Sequence, residues 1–278
     1  MRILIASPLG KVIAPALTQA LHEAVVIVAP DRRTVQEAIT ATFRFDVVVA
    51  DLVWNNPALE FSFDGLDVVN MLAKANRLAP VLMATQGHSM EQDLLDEARL
   101  RPEIAGVCAK SFGVEALLDA IRSAAVGAKP GVDVASGSGT PLYTFFSGQR
   151  GSTAGRLAGA IAAGRASDAP SLARAARVGV NTANKVTSTY LGPIIVQRGE
   201  HEAGLPMTLG AVYRWCGLHA RYLTSWCRRN GHADVLRPMY RWPDEPGADT
   251  FRAACRTRAS PGIITRPTSS SRARRYTG

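Results

Sequence analysis

Three side chains with different chemistry each stand at the end of a short apolar run. Asp51, Thr85 and Lys110 follow runs of the kind that form buried strands. Because the carboxyl ends of neighbouring parallel strands meet at one crevice, we expect these three side chains to lie together. A carboxylate, a hydroxyl and an ammonium in one place can hold a phosphoryl group. The sequence therefore predicts a pocket of the phosphoacceptor type.

Residues 1–126 alternate short apolar runs with longer amphipathic segments. The predicted strands are 3–6, 24–28, 47–50, 81–84 and 106–109. The predicted helices are 11–23, 33–42, 65–75, 90–100 and 114–125. No hairpin signals separate the strands, which favours an α/β fold with a doubly wound, five-stranded parallel sheet covered on both faces.

The remaining chain divides by composition into three parts. Residues 127–150 are rich in Gly, Ser and Pro and are predicted to be a linker. Residues 151–234 have helical patterns throughout and predict an all-α domain. Residues 235–278 are rich in Arg, Pro and Ser, and we expect a basic, disordered tail.

Charge divides the chain in the same way. Residues 1–126 contain 11 Lys and Arg against 15 Asp and Glu, a net charge of −4. Residues 127–278 contain 21 against 8, a net charge of +13. This division indicates that only the second half meets a polyanion, with a nucleic acid as the expected partner. The alternative is a solvated basic surface.

A helix-turn-helix pattern lies within the helical part. One helix spans 170–178, and Gly179 breaks it. A second helix restarts at Asn181 or Thr182 and continues to Leu191, where Gly192-Pro193 is expected to end it. We expect Gly179 to be left-handed and Val180 to fill the corner between the helices. The predicted DNA-binding residues, polar groups for base edges and basic groups for phosphate, are Asn181, Thr182, Asn184, Lys185, Ser188, Arg174 and Arg177. The alternative is a plain helical bundle.

Residues 208–229 form a longer amphipathic stretch. It is predicted to be either a dimer-forming helix or a second helix-turn-helix centred on Gly217, with Arg221 and Arg228 facing phosphate. Four possible zinc ligands lie in or beside this stretch, with a spacing that matches no standard zinc module: Cys216, His219, Cys227 and His232. No metal and no cofactor is therefore predicted.

The first half resembles the receiver domain of response regulators, a flavodoxin-like fold. The resemblance covers residues 1–126 and is carried by Asp51, by Asp64-Gly65-Leu66, by Thr85 and by Lys110. It implies that Asp51 accepts a phosphoryl group from a histidine kinase. It also implies that Thr85 and Lys110 contact the phosphoryl oxygens.

The same half departs from the receiver pattern at two places. Receivers carry an acidic pair after the first strand that holds Mg²⁺, and Ser7 and Pro8 stand there instead. The loop between Asp51 and Gly65 is also longer and contains Trp54, Phe61 and Phe63, which predicts a lid or an interaction surface. We therefore expect an atypical receiver, and phosphorylation, a small-molecule ligand, protein contacts and an inert ion pair all stay open.

The order of receiver, linker and helix-turn-helix resembles LuxR/NarL-type response regulators. Against that pattern, the second DNA-binding helix has one extra residue after Val180. The resemblance implies a two-component system regulator of transcription that binds double-stranded DNA as a homodimer. The alternative is a signalling adaptor whose helical half binds a protein partner.

An enzyme is the weakest hypothesis, because no glycine-rich phosphate loop and no nucleophile with a base is evident. No apolar run is long enough to span a bilayer, and the first residues run directly into a predicted strand. Four cysteines without a regular framework fit a reducing compartment. We expect a cytoplasmic protein that is not an enzyme and does not associate with membranes.

Overall fold

The computed structural model describes residues 1–55, 61–128 and 140–236. Five parallel strands form one sheet in the order β2-β1-β3-β4-β5. The strands are β1 (Arg2–Ala6), β2 (Val25–Ala29), β3 (Val47–Asp51), β4 (Val81–Thr85) and β5 (Ile104–Ala109). Every residue of β3 and β4 is buried, which explains why these strands are continuous apolar runs.

Five helices cover the two faces of the sheet. They are α1 (Gly10–Ala20), α2 (Arg32–Ala41), α3 (Gly65–Lys74), α4 (Gln92–Arg99) and α5 (Gly113–Ala125). Alternate strand residues divide between two apolar clusters, with α1 and α5 on one and α2, α3 and α4 on the other. The prediction of a doubly wound, flavodoxin-like parallel sheet is confirmed.

The second part of the chain is helical, as predicted. After a 3-10 turn (Leu142–Phe146) it contains α6 (Gly148–Ala162), α7 (Ala169–Ala176), α8 (Val180–Asn184), a π-helical turn (Val186–Tyr190), α9 (Gly192–Gln197), α10 (Leu209–Leu218), α11 (Ala220–Arg229) and a 3-10 turn (Ala233–Leu236).

Two helix boundaries differ from the sequence prediction. Gly192-Pro193 was expected to end a helix, but it begins α9, because proline is well tolerated in the first turn of a helix. The stretch 208–229 divides at His219 into α10 and α11, so the alternative of one continuous helix is wrong, and the break lies two residues after Gly217.

Helices α6 and α11 pack against each other at very short range. A side chain on Gly155 would overlap the ring of Trp226, and one on Gly159 would overlap the thiol of Cys227. The Cys227 thiol also donates to the carbonyl of Gly155 at 3.5 Å. The glycines of α6 therefore allow the two helices to approach closely.

The helical part packs on the sheet part through α11, which lies against α3 and α4. The guanidinium of Arg229 forms a buried ion pair with Glu97 of α4. Arg228 pairs with Asp64 and Asp67 of α3, at 2.9 and 2.8 Å. Part of the basic excess of the second half is thus neutralised within the chain.

The end of the predicted linker and the start of the predicted tail both contain ordered turns or helix. In the predicted linker, Leu142 and Phe146 are buried, and α6 begins at Gly148. Residues 129–139 of the linker lie outside the described residues. At the start of the predicted tail, Val235 is buried within the last 3-10 turn, and residues 237–278 lie outside the described residues.

Replacing Arg229 with Ala is expected to lower the free energy of unfolding by about 3 kcal/mol, because Glu97 would lose its most buried cationic partner and keep only Arg101 and Tyr222. The matched control is Arg33→Ala, which removes an exposed, solvent-screened pair with Glu37 and should leave stability nearly unchanged. Urea unfolding of both variants measures the difference. Equal losses would show that the Arg229 pair does not carry the contact between α11 and α4.

Candidate functional site

The predicted pocket residues Asp51 and Lys110 meet at the carboxyl edge of the sheet. The Lys110 ammonium lies 2.8 Å from Oδ2 of Asp51, and the Ser7 hydroxyl donates to the same oxygen at 2.6 Å. The Ser7 oxygen in turn accepts from the backbone amide of Leu9 at 3.1 Å. One carboxylate oxygen is therefore held by two donors from the ends of β1 and β5.

Asp51 is almost enclosed, with a side chain 5% exposed. Burial raises the pKa of its carboxyl above the usual range, and the neighbouring Lys110 and Ser7 lower it only in part. The ion pair with Lys110 is what allows a carboxylate to exist at this position.

Thr85 does not join this pair. Its hydroxyl donates to the buried carboxylate of Glu91, and the same oxygen of Glu91 accepts from the amides of Gln86 and Gly87, each at 3.0 Å. The expected convergence of three side chains is thus wrong for Thr85. The reason is that Glu91, just before α4, offers this hydroxyl an acceptor six residues away.

A magnesium site would need further oxygen ligands beside Asp51. Ser7 stands at the position of the acidic pair and donates to Asp51, so it adds no negative charge there. Within residues 1–55, 61–128 and 140–236, no group of three or more His, Cys, Asp and Glu side chains is placed to hold a metal ion.

The four possible zinc ligands make separate contacts. Cys216 is buried, and Cys227 lies against α6. His232 is within hydrogen-bond distance of Ser152, and His219 lies between two carboxylates.

Among the described residues of the aromatic loop, Trp54, Phe61 and Phe63 do not cover the pocket. Trp54 and Phe63 are buried and meet edge to face, with ring centroids 4.8 Å apart, in the cluster that includes α3. That cluster lies on the opposite face of the sheet from the α1/α5 side. Phe61 is exposed, and its carbonyl accepts from Arg228, so this end of the loop contacts the helical part. Residues 56–60 lie outside the described residues.

Helices α7 and α8 form the predicted helix-turn-helix pair. Asp168 caps α7 and forms a capping box with Ser171. The left-handed residue of the turn is Arg177, with φ of 53°, and Gly179 is extended. The prediction for Gly179 is therefore wrong, and Val180 is half exposed and does not fill the corner.

The predicted DNA-binding side chains lie on the surface. Thr182 is half-buried. The other six are exposed: Asn181, Asn184, Lys185, Ser188, Arg174 and Arg177. Ala183 and Val186 alternate with them and are buried, which fixes the polar face outward.

The π-helical turn follows directly after Lys185. The amide of Leu191 donates to the carbonyl of Val186 at 2.8 Å, five residues back. A π turn contains one residue more than an α turn. This turn therefore accommodates one residue more than a regular α-helical turn between Val186 and Leu191.

Arg156 of α6 holds the end of α7. Its Nε donates to the carbonyl of Ala176 at 3.0 Å, and its other nitrogens contact Asp234. Arg177 lies 3.4 Å from the same carboxylate. The orientation of the turn thus depends on α6 and on the last 3-10 turn.

The two functions predicted for 208–229 are contradicted for α11. Arg228 was expected to face phosphate, but it contacts Asp64 and Asp67. Tyr222, Leu223 and Trp226 are buried within the chain, so the apolar face of α11 is not free to form a dimer.

His219 links the two parts of the chain. Its Nδ1 lies 2.5 Å from Asp93 of α4, and its Nε2 lies 3.4 Å from Glu200. Asp93 also pairs with Arg198 at 2.9 Å. Burial alone would lower the pKa of His219, but hydrogen bonds to both carboxylates raise it to about 9.

The structure is similar to solved response regulators. A receiver domain from Francisella is 21% identical, covers 45% of this chain and 97% of its own, and has a TM-score of 0.36. RcsB from Salmonella typhimurium is 11% identical and covers 77% of this chain and 97% of its own, with a TM-score of 0.39. RcsB in an RcsB–DNA complex is 14% identical, covers 77% and 96%, and has a TM-score of 0.41.

No protein-family model matches the chain, and no curated protein relative was found. The TM-scores lie below 0.5, so what those proteins bind is not carried over to this chain. The fold class rests on the strand order and the helices described above. Among the described residues, no helix is long and apolar enough to cross a membrane.

The contact at His219 predicts a pH dependence. Because the folded-state pKa of about 9 exceeds the usual 6.5, the protonated imidazole contributes stability fully below pH 6.5, and this contribution is lost as the pH rises to 9. His219→Gln should therefore reduce the free energy of unfolding by about 2–3 kcal/mol at pH 6 and by much less at pH 9.

The matched control for this titration is His88→Gln, at an exposed position outside the interface. It is measured over the same pH range, to show what the loss of an imidazole away from this contact does to stability. A difference between wild type and His219→Gln that does not change with pH would contradict the ion-pair account.

Proposed function

We propose that this chain is a DNA-binding transcriptional regulator of response-regulator type, with a receiver half that lacks the Mg²⁺-binding acidic pair. The observation that carries this proposal is the exposed polar face of α8, which follows α7 through a short turn. A cytoplasmic location and a non-enzymatic role belong to the same proposal.

The exposed polar groups of α8, of α7 and of the turn between them have a chemistry suited to duplex DNA. The amides of Asn181 and Asn184 can bond adenine edges in the major groove, which admits a helix. Lys185, Arg174 and Arg177 are exposed cations that can neutralise phosphate. Together they provide both base contacts and backbone contacts.

A homodimer would place two such helices one helical turn apart on a palindromic site. The buried face of α11 is occupied within the chain, so the dimer would form through another surface. The basic segment 235–278 would add affinity that depends on salt and not on sequence.

We infer that the receiver half is controlled by a ligand or by protein contacts more readily than by a histidine kinase. Two contacts support this. Oδ2 of Asp51 already bonds Ser7 and Lys110, and the hydroxyl of Thr85 already bonds Glu91. A phosphoryl group on Asp51 would need Mg²⁺, for which the acidic pair is missing, and the hydroxyl of Thr85, which Glu91 engages.

Lys185→Ala is expected to weaken binding to any duplex, because one phosphate contact is lost. The plot of log K, the association constant for DNA, against log salt concentration should become less steep by about 0.9. Lys11→Ala is the matched control, since Lys11 is exposed on α1, and should leave both unchanged. Fluorescence anisotropy over a range of salt concentrations measures the slope. Equal slopes for all three proteins would favour the signalling adaptor.

The wild type is expected not to take up a phosphoryl group from acetyl phosphate and Mg²⁺. The double variant Ser7→Asp/Pro8→Asp adds the missing carboxylates and should allow transfer to Asp51, with acetate as the leaving group. Intact-mass spectrometry reads the added phosphoryl mass, and adding Asp51→Asn to the double variant is the control. Transfer to the wild type would refute the atypical-receiver proposal.

A further inference from the structure

A cavity of about 210 Å³ lies beside the Asp51–Lys110 pair, between α1, α5 and the carboxyl ends of the central strands. Its walls are mainly aliphatic, and its polar side chains are Ser7, Asp51 and Lys110, with the Cys108 thiol beside them. For comparison, an apolar cavity of about 150 Å³ is large enough to bind benzene. The space therefore fits a small organic molecule.

The first turn of α1 forms one wall of this cavity. Pro15 lies inside α1 and has no amide hydrogen, so the carbonyl of Lys11 lacks its usual partner in the helix. One bond fewer holds this turn to the rest of α1. Opposite it, Val114 and Leu117 of α5 form the second wall.

Two large apolar side chains at the cavity stay open to solvent. Val12 is 74% exposed and Leu9 is 56% exposed, and both line the cavity. A molecule in the cavity would cover apolar surface that the chain itself leaves in water.

Lys110 supplies donors at the polar end of the cavity. Its ammonium has three N–H groups, and one of them serves Asp51. The side chain is 32% exposed, which leaves the other donors accessible. The Asp51 side chain is only 5% exposed against 32% for Lys110, so an incoming headgroup meets the ammonium first, and an oxygen acceptor suits this end better than a second ammonium.

We propose that this cavity binds a small aliphatic molecule with an oxygen-acceptor headgroup, a carboxylate or a neutral carbonyl, directed at Lys110. Such a ligand would occupy the receiver half where a phosphoryl group would otherwise act. A signalling role for such a ligand rests on the proposed regulatory function. Binding of the ligand to the cavity can be measured without DNA.

The test titrates the full-length chain with octanoate, octanamide and octylamine by isothermal titration calorimetry. We expect octanoate or octanamide to bind at least tenfold more tightly than octylamine. A tenfold preference for octanoate assigns a carboxylate headgroup, and equal affinities assign the neutral carbonyl.

Val114→Phe fills the cavity from α5 and should weaken binding at least tenfold. Val126→Phe is the matched control, because it places the same substitution at an exposed position at the end of the same helix. Val12→Trp, at the exposed mouth, provides a second blocking variant that does not disturb the core.

Absence of octanoate and octanamide binding up to millimolar concentration would overturn the proposal. So would binding that neither Val114→Phe nor Val12→Trp weakens. A dimer in sedimentation experiments that Val12→Trp abolishes would overturn it as well, and would assign the exposed rim to a second copy of the chain. If the ligand binds but no DNA does, the cavity proposal stands and the proposed regulatory function fails.

Discussion

The side chain of Arg229 is 1% exposed, so the cost of burying its charge must be offset by a carboxylate that is also buried and lies next to it. Glu97 of α4 fills this role, and it also accepts from Tyr222 at 3.0 Å and from Arg101 at 2.9 Å. Burial alone would raise the pKa of Glu97, but these guanidinium groups hold it below the usual value. Because Arg229, Arg101 and Tyr222 all bond Glu97, the free-energy cost of burying this pair is offset, and the pair fixes α11 on α4.

The positions of the other helices depend on this contact. α11 packs on the glycines of α6, and Arg156 of α6 holds the end of α7, where the helix-turn-helix begins. On the other side, α4 starts just after Glu91, which binds the hydroxyl of Thr85. An unbroken series of contacts therefore joins the carboxyl edge of the sheet to the proposed DNA-binding helix.

The sheet could be predicted closely from the sequence, because strands buried on both faces must be continuous apolar runs. The same argument placed Asp51 and Lys110 together. It failed for Thr85, because a position at a strand end does not say which acceptor a hydroxyl will choose. The acid at position 91, just before α4, was the available signal.

The role of α11 was harder to predict. Arg228 and Arg229 are cations, and sequence alone does not distinguish a cation that meets phosphate from one that meets a carboxylate of the same chain. The acidic first half was the signal that such pairing was available. The spacing of Gly151, Gly155 and Gly159 along α6 was a second signal, since it places three glycines on one face of a helix.

Selection of bound duplexes from a random DNA pool tests the central claim most directly. The full-length chain is compared with its Asn181→Ala/Asn184→Ala variant, which keeps every cation. We expect the wild type to enrich one palindromic motif and the variant to retain DNA without enriching it. The same motif from both proteins, or no motif from either, would contradict the assignment of α8 as the helix that reads DNA.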